Sequence, residues 1–250
     1  RRLSTVYSQA ATLHLALAEV SRGAGAAGGG SGSPLRIAIL GASPKNELAA
    51  PLHALLGVRG LGELLAVAAR GLPGGGAPVE FLVCGPELPA ELCSRAEQAG
   101  AHRVLYRRGC LHEDEELPAL DGCVALHAGL AVPRYRGTWR ATLERLAASE
   151  RGVRFFATAY DATENGMNFE VLQEVASAGS AGVDALQAVV GRNPAGALMG
   201  RPRLGRLHHS FCAVTLGAGA TAAGAAAAAG APRLCGGEAV VRALRGGEDK

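Results

Sequence analysis

The stretch Leu35-Arg36-Ile37-Ala38-Ile39-Leu40-Gly41 predicts a short buried strand that ends in a glycine turn. A second apolar run, 79–84, ends in Gly85-Pro86-Glu87-Leu88, and helix-like segments lie between the two runs at 49–56 and 61–69. Strands that alternate with helices form βαβ units, which place parallel strands in one sheet with helices on both faces. This part of the chain therefore predicts a doubly wound α/β fold.

The alternation of strands and helices continues to residue 216. Further strands are predicted at 102–106, 122–127, 153–159, 184–190 and 206–216, and further helices at 89–99, 135–149 and 164–176. The helix at 135–149 carries Trp139, Leu143 and Leu146 at the i, i+4, i+7 spacing of an amphipathic helix. No helix precedes the last strand, so we expect that strand to be antiparallel in an otherwise mostly parallel sheet. Seven strands in this pattern resemble a degenerate form of the methyltransferase variant of the doubly wound fold.

The chain divides into four predicted segments. They are a leading helix packed on the domain (1–20), a Gly/Ala/Ser linker (21–33), the α/β domain (34–216) and a low-complexity tail (217–250). Linker and tail are rich in Gly and Ala, which leaves little apolar surface to offset the entropy of ordering, so we expect both to be mobile. Because the chain opens with Arg1-Arg2 and not Met, we expect a fragment whose original N-terminus lies upstream.

Composition limits the classes of partner. The formal net charge is +3 and only two lysines are present, which argues against direct contact with nucleic acid, since that needs clustered Lys and Arg. No apolar run approaches the roughly 20 residues that cross a membrane. None of the six cysteines lies in a C-x-x-C pair, and Cys84, Cys123 and Cys212 lie inside predicted strands. Such thiols are typical of a reduced intracellular protein, and cytoplasm, nucleus and mitochondrion are not distinguished.

Several short segments, taken in order, resemble one family. They are Leu35 to Ala42 with Glu47 close behind, Phe81 to Leu88, Ala128-Gly129-Leu130, Tyr135 with 138–143, 155–160, and Asn193-Pro194. Their shared order, over roughly residues 3 to 200, resembles the C-terminal domain of the mitochondrial splicing suppressor family, which often follows a MYND zinc finger. The leading helix is similar to the Leu- and Thr-rich helix that opens that domain.

The resemblance implies a regulator of gene expression that is not a catalyst and works through protein partners. Members look like adaptors of mitochondrial translation in fungi and like transcriptional or metabolic regulators in animals. No cofactor is implied for this fragment, because zinc would belong to a MYND finger upstream of it. The motifs do not say which of these roles applies here.

A ligand site is expected where the parallel strands end, because open α/β sheets bind ligands at that edge. If a pocket exists there, its rim should be Gly41, Glu47, Glu87, Gly129, Tyr160 and Glu164. Glu87 follows the second strand, where a doubly wound fold places the acid that binds a ribose hydroxyl. A plain tight turn at Gly41 and a simple helix start at Glu87 remain the structural alternatives, because the segment 41–47 is not G-x-G-x-x-G.

The sequence offers weaker signals for four other functions. An active S-adenosylmethionine-dependent methyltransferase is the alternative function, but such an enzyme should offer a glycine-rich backbone where this chain has Ser43-Pro44. The spacings of Cys110 and His112 and of Cys123 and His127 match no zinc pattern, so a core cysteine and a strand-end histidine are predicted. The nucleophile motif G-x-S-x-G of hydrolases is absent. An RNA-contacting module would have to depend on the basic stretch 103–108 around Tyr106.

Overall fold

The computed structural model describes ten stretches of the chain. They are residues 11–21, 33–43, 60–70, 72, 78–93, 95–150, 152–159, 162–178, 189–192 and 210–217. The predicted helix at 49–56, most of the linker and tail, and the start of the strand predicted at 184–190 lie outside the described residues.

Helices and strands alternate through these stretches. They are α1 (11–21), β1 (Leu35–Leu40), α2 (Leu61–Ala68), β2 (Val79–Gly85), α3 (Ala90–Cys93), β3 (Ala96–Ala99), β4 (His102–Arg108), a 3-10 turn (Leu111–Glu113), β5 (Gly122–Ala125), α4 (Pro133–Ala147), β6 (Val153–Ala159), α5 (Ala162–Ala178), β7 (Val189–Arg192) and β8 (Ser210–Leu216). None of the helices described combines the length and the apolar character that crossing a bilayer requires.

The strands form one sheet in the order β3-β4-β2-β1-β5-β6-β8-β7. Strands β4, β2, β1, β5 and β6 are parallel to their neighbours in that series, and β8 is antiparallel to both β6 and β7. The doubly wound, mostly parallel sheet with an antiparallel last strand is therefore confirmed. Apart from the edge strand β3, this order is that of the methyltransferase variant of the fold.

The helix predicted at 89–99 is wrong in its second half. Helix α3 covers only Ala90–Cys93, and β3 then pairs antiparallel with β4 through a turn at Gly100, whose φ is +64°. The residues Ala-Glu-Gln-Ala of β3 have good helix propensity, but propensity is a weak preference that tertiary contacts override. Here the unpaired edge of β4 offers a backbone ladder, and the Tyr106 hydroxyl donates a hydrogen bond of 2.7 Å to the Glu97 carboxylate.

The core forms two layers, one on each face of the sheet. Helices α1 and α2 cover the face that carries Ile37, Ile39, Phe81 and Phe156. Helices α4 and α5 cover the opposite face, which carries the alternate residues of the same strands, among them Phe155. This alternation follows from the two-residue period of a strand, in which successive side chains point to opposite faces. Helices on both faces are thereby confirmed.

Helix α1 is held against the sheet by close contacts. The Val20 side chain packs directly on the Cα of Gly122, where a Cβ would collide with it. Arg154, only 9% exposed, lies 3.7 Å from the Glu19 carboxylate and donates a hydrogen bond of 3.2 Å to Thr215. Both charges of this ion pair are largely removed from water, so loss of either partner would leave the other as a buried, uncompensated charge.

We expect Gly122→Ala to lower the free energy of unfolding by about 1–3 kcal/mol, since the added methyl group must displace Val20 or the backbone of Arg154. Gly137→Ala is the matched control. Nothing lies within 4 Å of a Cβ at Gly137, so in this exposed helix interior alanine should add about 0.5–1 kcal/mol. Urea denaturation measures both, and equal stability of Gly122→Ala and the unmodified protein would contradict the packing of α1.

Candidate functional site

A cavity of about 530 Å³ lies at the edge of the sheet where the parallel strands end. Its walls come from the loops after β1, β2, β4 and β5 and from one side of α4. Parallel strands place their C-terminal ends at a common edge of the sheet. The strands β2 and β4 lie on one side of β1, and β5 and β6 on the other, so the strand order reverses between β1 and β5. An open α/β sheet binds its ligands at such a reversal point.

The turn at residues 41–43, directly after β1, is folded onto the end of β2. Gly41 adopts a φ of +74°, and the Ala42 N–H then donates a hydrogen bond of 3.0 Å to the carbonyl oxygen of Cys84. A Cβ at Gly85 would run into the Ala42 carbonyl oxygen, so only glycine permits this approach. The Trp139 indole covers the other side, 3.7 Å from the position of a Cβ at Gly41. Ala42 is consequently fully buried.

The turn after β2 presents Glu87 at the cavity. The Gly85 carbonyl oxygen accepts hydrogen bonds from the N–H groups of Leu88 (3.2 Å) and Gly109 (3.1 Å), which ties this turn to the end of β4. Leu88 is buried, whereas Glu87 is exposed. The turn is therefore anchored on both sides of a carboxylate that faces the open space.

His127, at the end of β5, is the one non-glycine residue with positive φ (48°) among those the structure describes. Its N–H donates a hydrogen bond of 2.8 Å to the hydroxyl of Thr158, which is fully buried on β6. Backbone in this region is uncommon for a residue with a side chain and persists where its surroundings hold it. The loop after β5 is thus fixed by β6, and His127 lines the cavity.

Helix α4 forms the remaining wall with a stripe of side chains at helical spacing, Tyr135, Thr138, Trp139 and Thr142. The Arg134 guanidinium lies 4.4 Å from the centre of the Tyr135 ring, a cation–π contact. Thr142 is buried and is hydrogen-bonded to His112 over 2.9 Å. Trp139, whose i, i+4, i+7 spacing with Leu143 and Leu146 predicts a place on the buried side of the helix, is half-buried. It packs against the core of its face and also lines the cavity.

Of the six predicted rim residues, two line the cavity, two lie outside its lining and two lie outside the described residues. Gly41 and Glu87 both line the cavity. Gly129, with a φ of +56°, belongs to the turn before α4, and Glu164 to the first turn of α5; neither is among the lining residues. Glu47 and Tyr160 lie outside the described residues. Sequence reasoning did not assign His127, Arg134, Tyr135 and Thr138 to the cavity, although their positions after strand β5 and along one side of α4 are a signal that it could have used.

The thiols of the strands are poorly suited to chemistry. Burial, assisted by the nearby Asp114 carboxylate, raises the pKa of Cys84 to about 12. Burial raises the pKa of Cys212 to about 12 and that of Cys123 further still. Since the thiolate is the nucleophile and metal ligand, these groups stay neutral and inert at physiological pH. Among the described residues, no group of three or more His, Cys, Asp or Glu side chains could hold a metal ion.

Comparison with protein-family models, with curated proteins and with solved structures gave no match to this chain. The resemblance to the splicing suppressor domain consequently stays an expectation drawn from the order of its motifs. The fold and the cavity supply the evidence on function.

The raised pKa values predict how stability depends on pH. An unfolded chain ionises its thiols near the ordinary value of 9.0, whereas the folded protein keeps Cys84 and Cys212 neutral to about 12. The free energy of unfolding should therefore be fully retained below pH 9 and fall as pH rises above it. Each of Cys84→Ala and Cys212→Ala should make that fall shallower, by up to about 1.4 kcal/mol per pH unit.

Denaturation curves between pH 8 and pH 11 measure this slope for the unmodified protein and the two variants. The slopes are compared, because either variant lowers stability at every pH by leaving a small gap in the core. Parallel pH dependence in all three proteins would contradict the burial of the two thiols.

Proposed function

We propose that this chain is a non-catalytic regulatory domain of gene expression that works through protein partners, on the scaffold of a degenerate methyltransferase. The observation that carries the proposal is the closed loop after β1. The order of the sequence motifs agrees with it, and on that resemblance any zinc would belong to a MYND finger and not to these 250 residues. The thiols that burial keeps neutral suit a reducing intracellular compartment.

The closed loop removes what a methyltransferase needs at its first turn. The amino-acid part of S-adenosylmethionine must approach the end of β1 and meet free backbone N–H groups there. In this chain the Ala42 N–H is already bonded to Cys84, and the indole of Trp139 lies over Gly41. Pro44, two residues after Ala42, has no backbone N–H. The site is therefore poorly equipped to hold the charged end of that cofactor.

A partner surface is supported by the layer of α4 and α5. The first six residues of α4, Pro133–Thr138, are all exposed, so this part of the helix has no side that faces the core. Tyr135 and Met167 are the large hydrophobic side chains left exposed in the described part of the chain, at 45% and 44%. The two helices lie on one face of the sheet and are joined by the ion pair of Arg136 with Glu174. Tyr, Arg and Met are enriched where proteins meet.

The alternative, a methyltransferase that uses S-adenosylmethionine, is favoured by one observation. Glu87 follows β2 and lines the same cavity as Gly41, which is the arrangement that a ribose-binding acid requires. A ribose alone does not position a methyl group for transfer, so this observation bears on binding more than on catalysis.

Calorimetry tests the proposal against its alternative. Titration with S-adenosylmethionine at near-millimolar concentration should give no heat that fits a dissociation constant below about 100 μM, which corresponds to about −5.5 kcal/mol. No methyl group should reach any protein that the domain binds. Tighter binding that Glu87→Ala abolishes would support the methyltransferase and contradict the proposal of a non-catalytic regulatory domain.

Site-specific crosslinking tests the partner surface. A photoreactive amino acid placed at Tyr135 or at Met167 in the full-length protein, in cells, should crosslink one and the same partner, identified by mass spectrometry. The matched control is the same group at Arg70, which is exposed after α2, a helix of the opposite face. Equal adducts from all three positions, or none from the first two, would contradict a partner surface on α4 and α5.

A further inference from the structure

The size and place of the cavity suit a small organic molecule. Its volume of about 530 Å³ lies within the range of roughly 300–1,000 Å³ that is usual for small-molecule sites. It lies at the ends of β1 and β5, two parallel neighbours between which the order of the strands in the sheet reverses. The regulatory proposal leaves the cavity without an occupant, so its lining is informative on its own.

Glu87 supplies the polar anchor. Its carboxylate has no hydrogen-bond or ion-pair partner within the part of the chain that the structure describes. The turn that carries it is fixed by the hydrogen bonds of Gly85 and by the buried Leu88. A carboxylate offers two acceptor oxygens and no donor, so its best match is a pair of adjacent hydroxyl groups.

Helix α4 supplies aromatic surface to the lining. Tyr135 and Trp139 lie one turn apart on α4, and Thr138 of the same helix also lines the cavity. Trp139 packs against the core on one side and lines the cavity on the other, so its indole is held in place. Fixed aromatic rings of this kind stack on the flat face of a heterocyclic base.

The lining disfavours a strongly anionic ligand. The Ala42 N–H, the donor closest to the β1 turn, is bonded to Cys84. Arg134 is the one arginine or lysine among the described lining residues, and its guanidinium is stacked on the Tyr135 ring. Glu87 would repel a phosphate group. These observations favour a diol and a flat base without a phosphate group.

We propose that this cavity binds a neutral ribonucleoside, with the ribose hydroxyls on the Glu87 carboxylate and the base against the indole of Trp139. The inference goes beyond the regulatory function and does not depend on the identity of a protein partner. It makes the domain a receptor for a nucleoside and gives Glu87 a role in recognition without catalysis.

Trp139, the only tryptophan of the chain, gives a direct signal. Adenosine, guanosine, cytidine and uridine are titrated in turn into the full chain, with indole fluorescence and calorimetry recorded together. At least one of them should quench the fluorescence to saturation, at the same dissociation constant by both methods. If none of the four binds, or if heat is released without a change in fluorescence, the proposal is overturned.

The nucleoside that binds best is then tested against Glu87. Glu87→Gln should weaken binding at least tenfold, because the amide keeps only one, uncharged acceptor oxygen and turns an NH2 donor toward the second hydroxyl. Glu91→Gln is the matched control, an exposed glutamate on α3 that does not line the cavity, and it should bind as the unmodified protein does. Thermal melting shows whether each variant is folded.

The 2′,3′-dideoxy form of the same nucleoside, which lacks both ribose hydroxyls, is then compared with the ribonucleoside on the unmodified protein and on Glu87→Gln. It should bind the unmodified protein at least tenfold more weakly than the ribonucleoside, and Glu87→Gln should cost it no further affinity. Additive losses would overturn the assignment of the diol to Glu87. The 5′-monophosphate should also bind at least tenfold more weakly, and equal or tighter binding would overturn the exclusion of charged tails.

The two proposals fail in different ways. Absence of nucleoside binding together with absence of S-adenosylmethionine binding would overturn the receptor and leave the regulatory function intact. If S-adenosylmethionine bound more tightly than adenosine, the turn at Gly41 and Ala42 would have to admit the charged end of the cofactor. That result would contradict the regulatory function.

Discussion

The hydrogen bond from the Ala42 N–H to the Cys84 carbonyl oxygen is the constraint on which the site depends. It continues the pairing of β1 with β2 beyond the last residue of β1, and it requires a glycine at position 85 so that the two backbones can meet. Because of it, Gly41 and Ala42 form a packed turn where the doubly wound fold can present free N–H donors. The shape and the polarity of the cavity follow from this closure.

Helix α4 connects the cavity with the outer surface of the domain. Leu143 and Leu146, in its second half, are buried against the sheet, whereas the first six residues extend past the core and are exposed. One side of the helix lines the cavity with Trp139, and its exposed start carries Tyr135. A ligand in the cavity and a partner on the surface would therefore contact the same rigid helix, which offers a short physical route between the two events.

Sequence patterns predicted what depends on local periodicity and missed what depends on tertiary contact. The strand–helix alternation gave the sheet and its antiparallel last strand, and the position after β2 singled out Glu87. The hairpin of β3 escaped because its four residues favour helix, while the Tyr106–Glu97 hydrogen bond that helps to hold it joins separate strands. The double role of Trp139 escaped for a related reason, since helical spacing identifies a buried side and not a cavity beside it.

Amide hydrogen exchange at Ala42 tests the central claim most directly. If the loop after β1 is closed onto β2, this N–H should exchange as slowly as the amides within the β1–β2 ladder, and S-adenosylmethionine should leave its rate unchanged. Nuclear magnetic resonance of the ¹⁵N-labelled protein resolves the rate for this one residue. Fast exchange at Ala42 in the free protein, slowed only when S-adenosylmethionine is added, would show an open cofactor loop and would contradict the account.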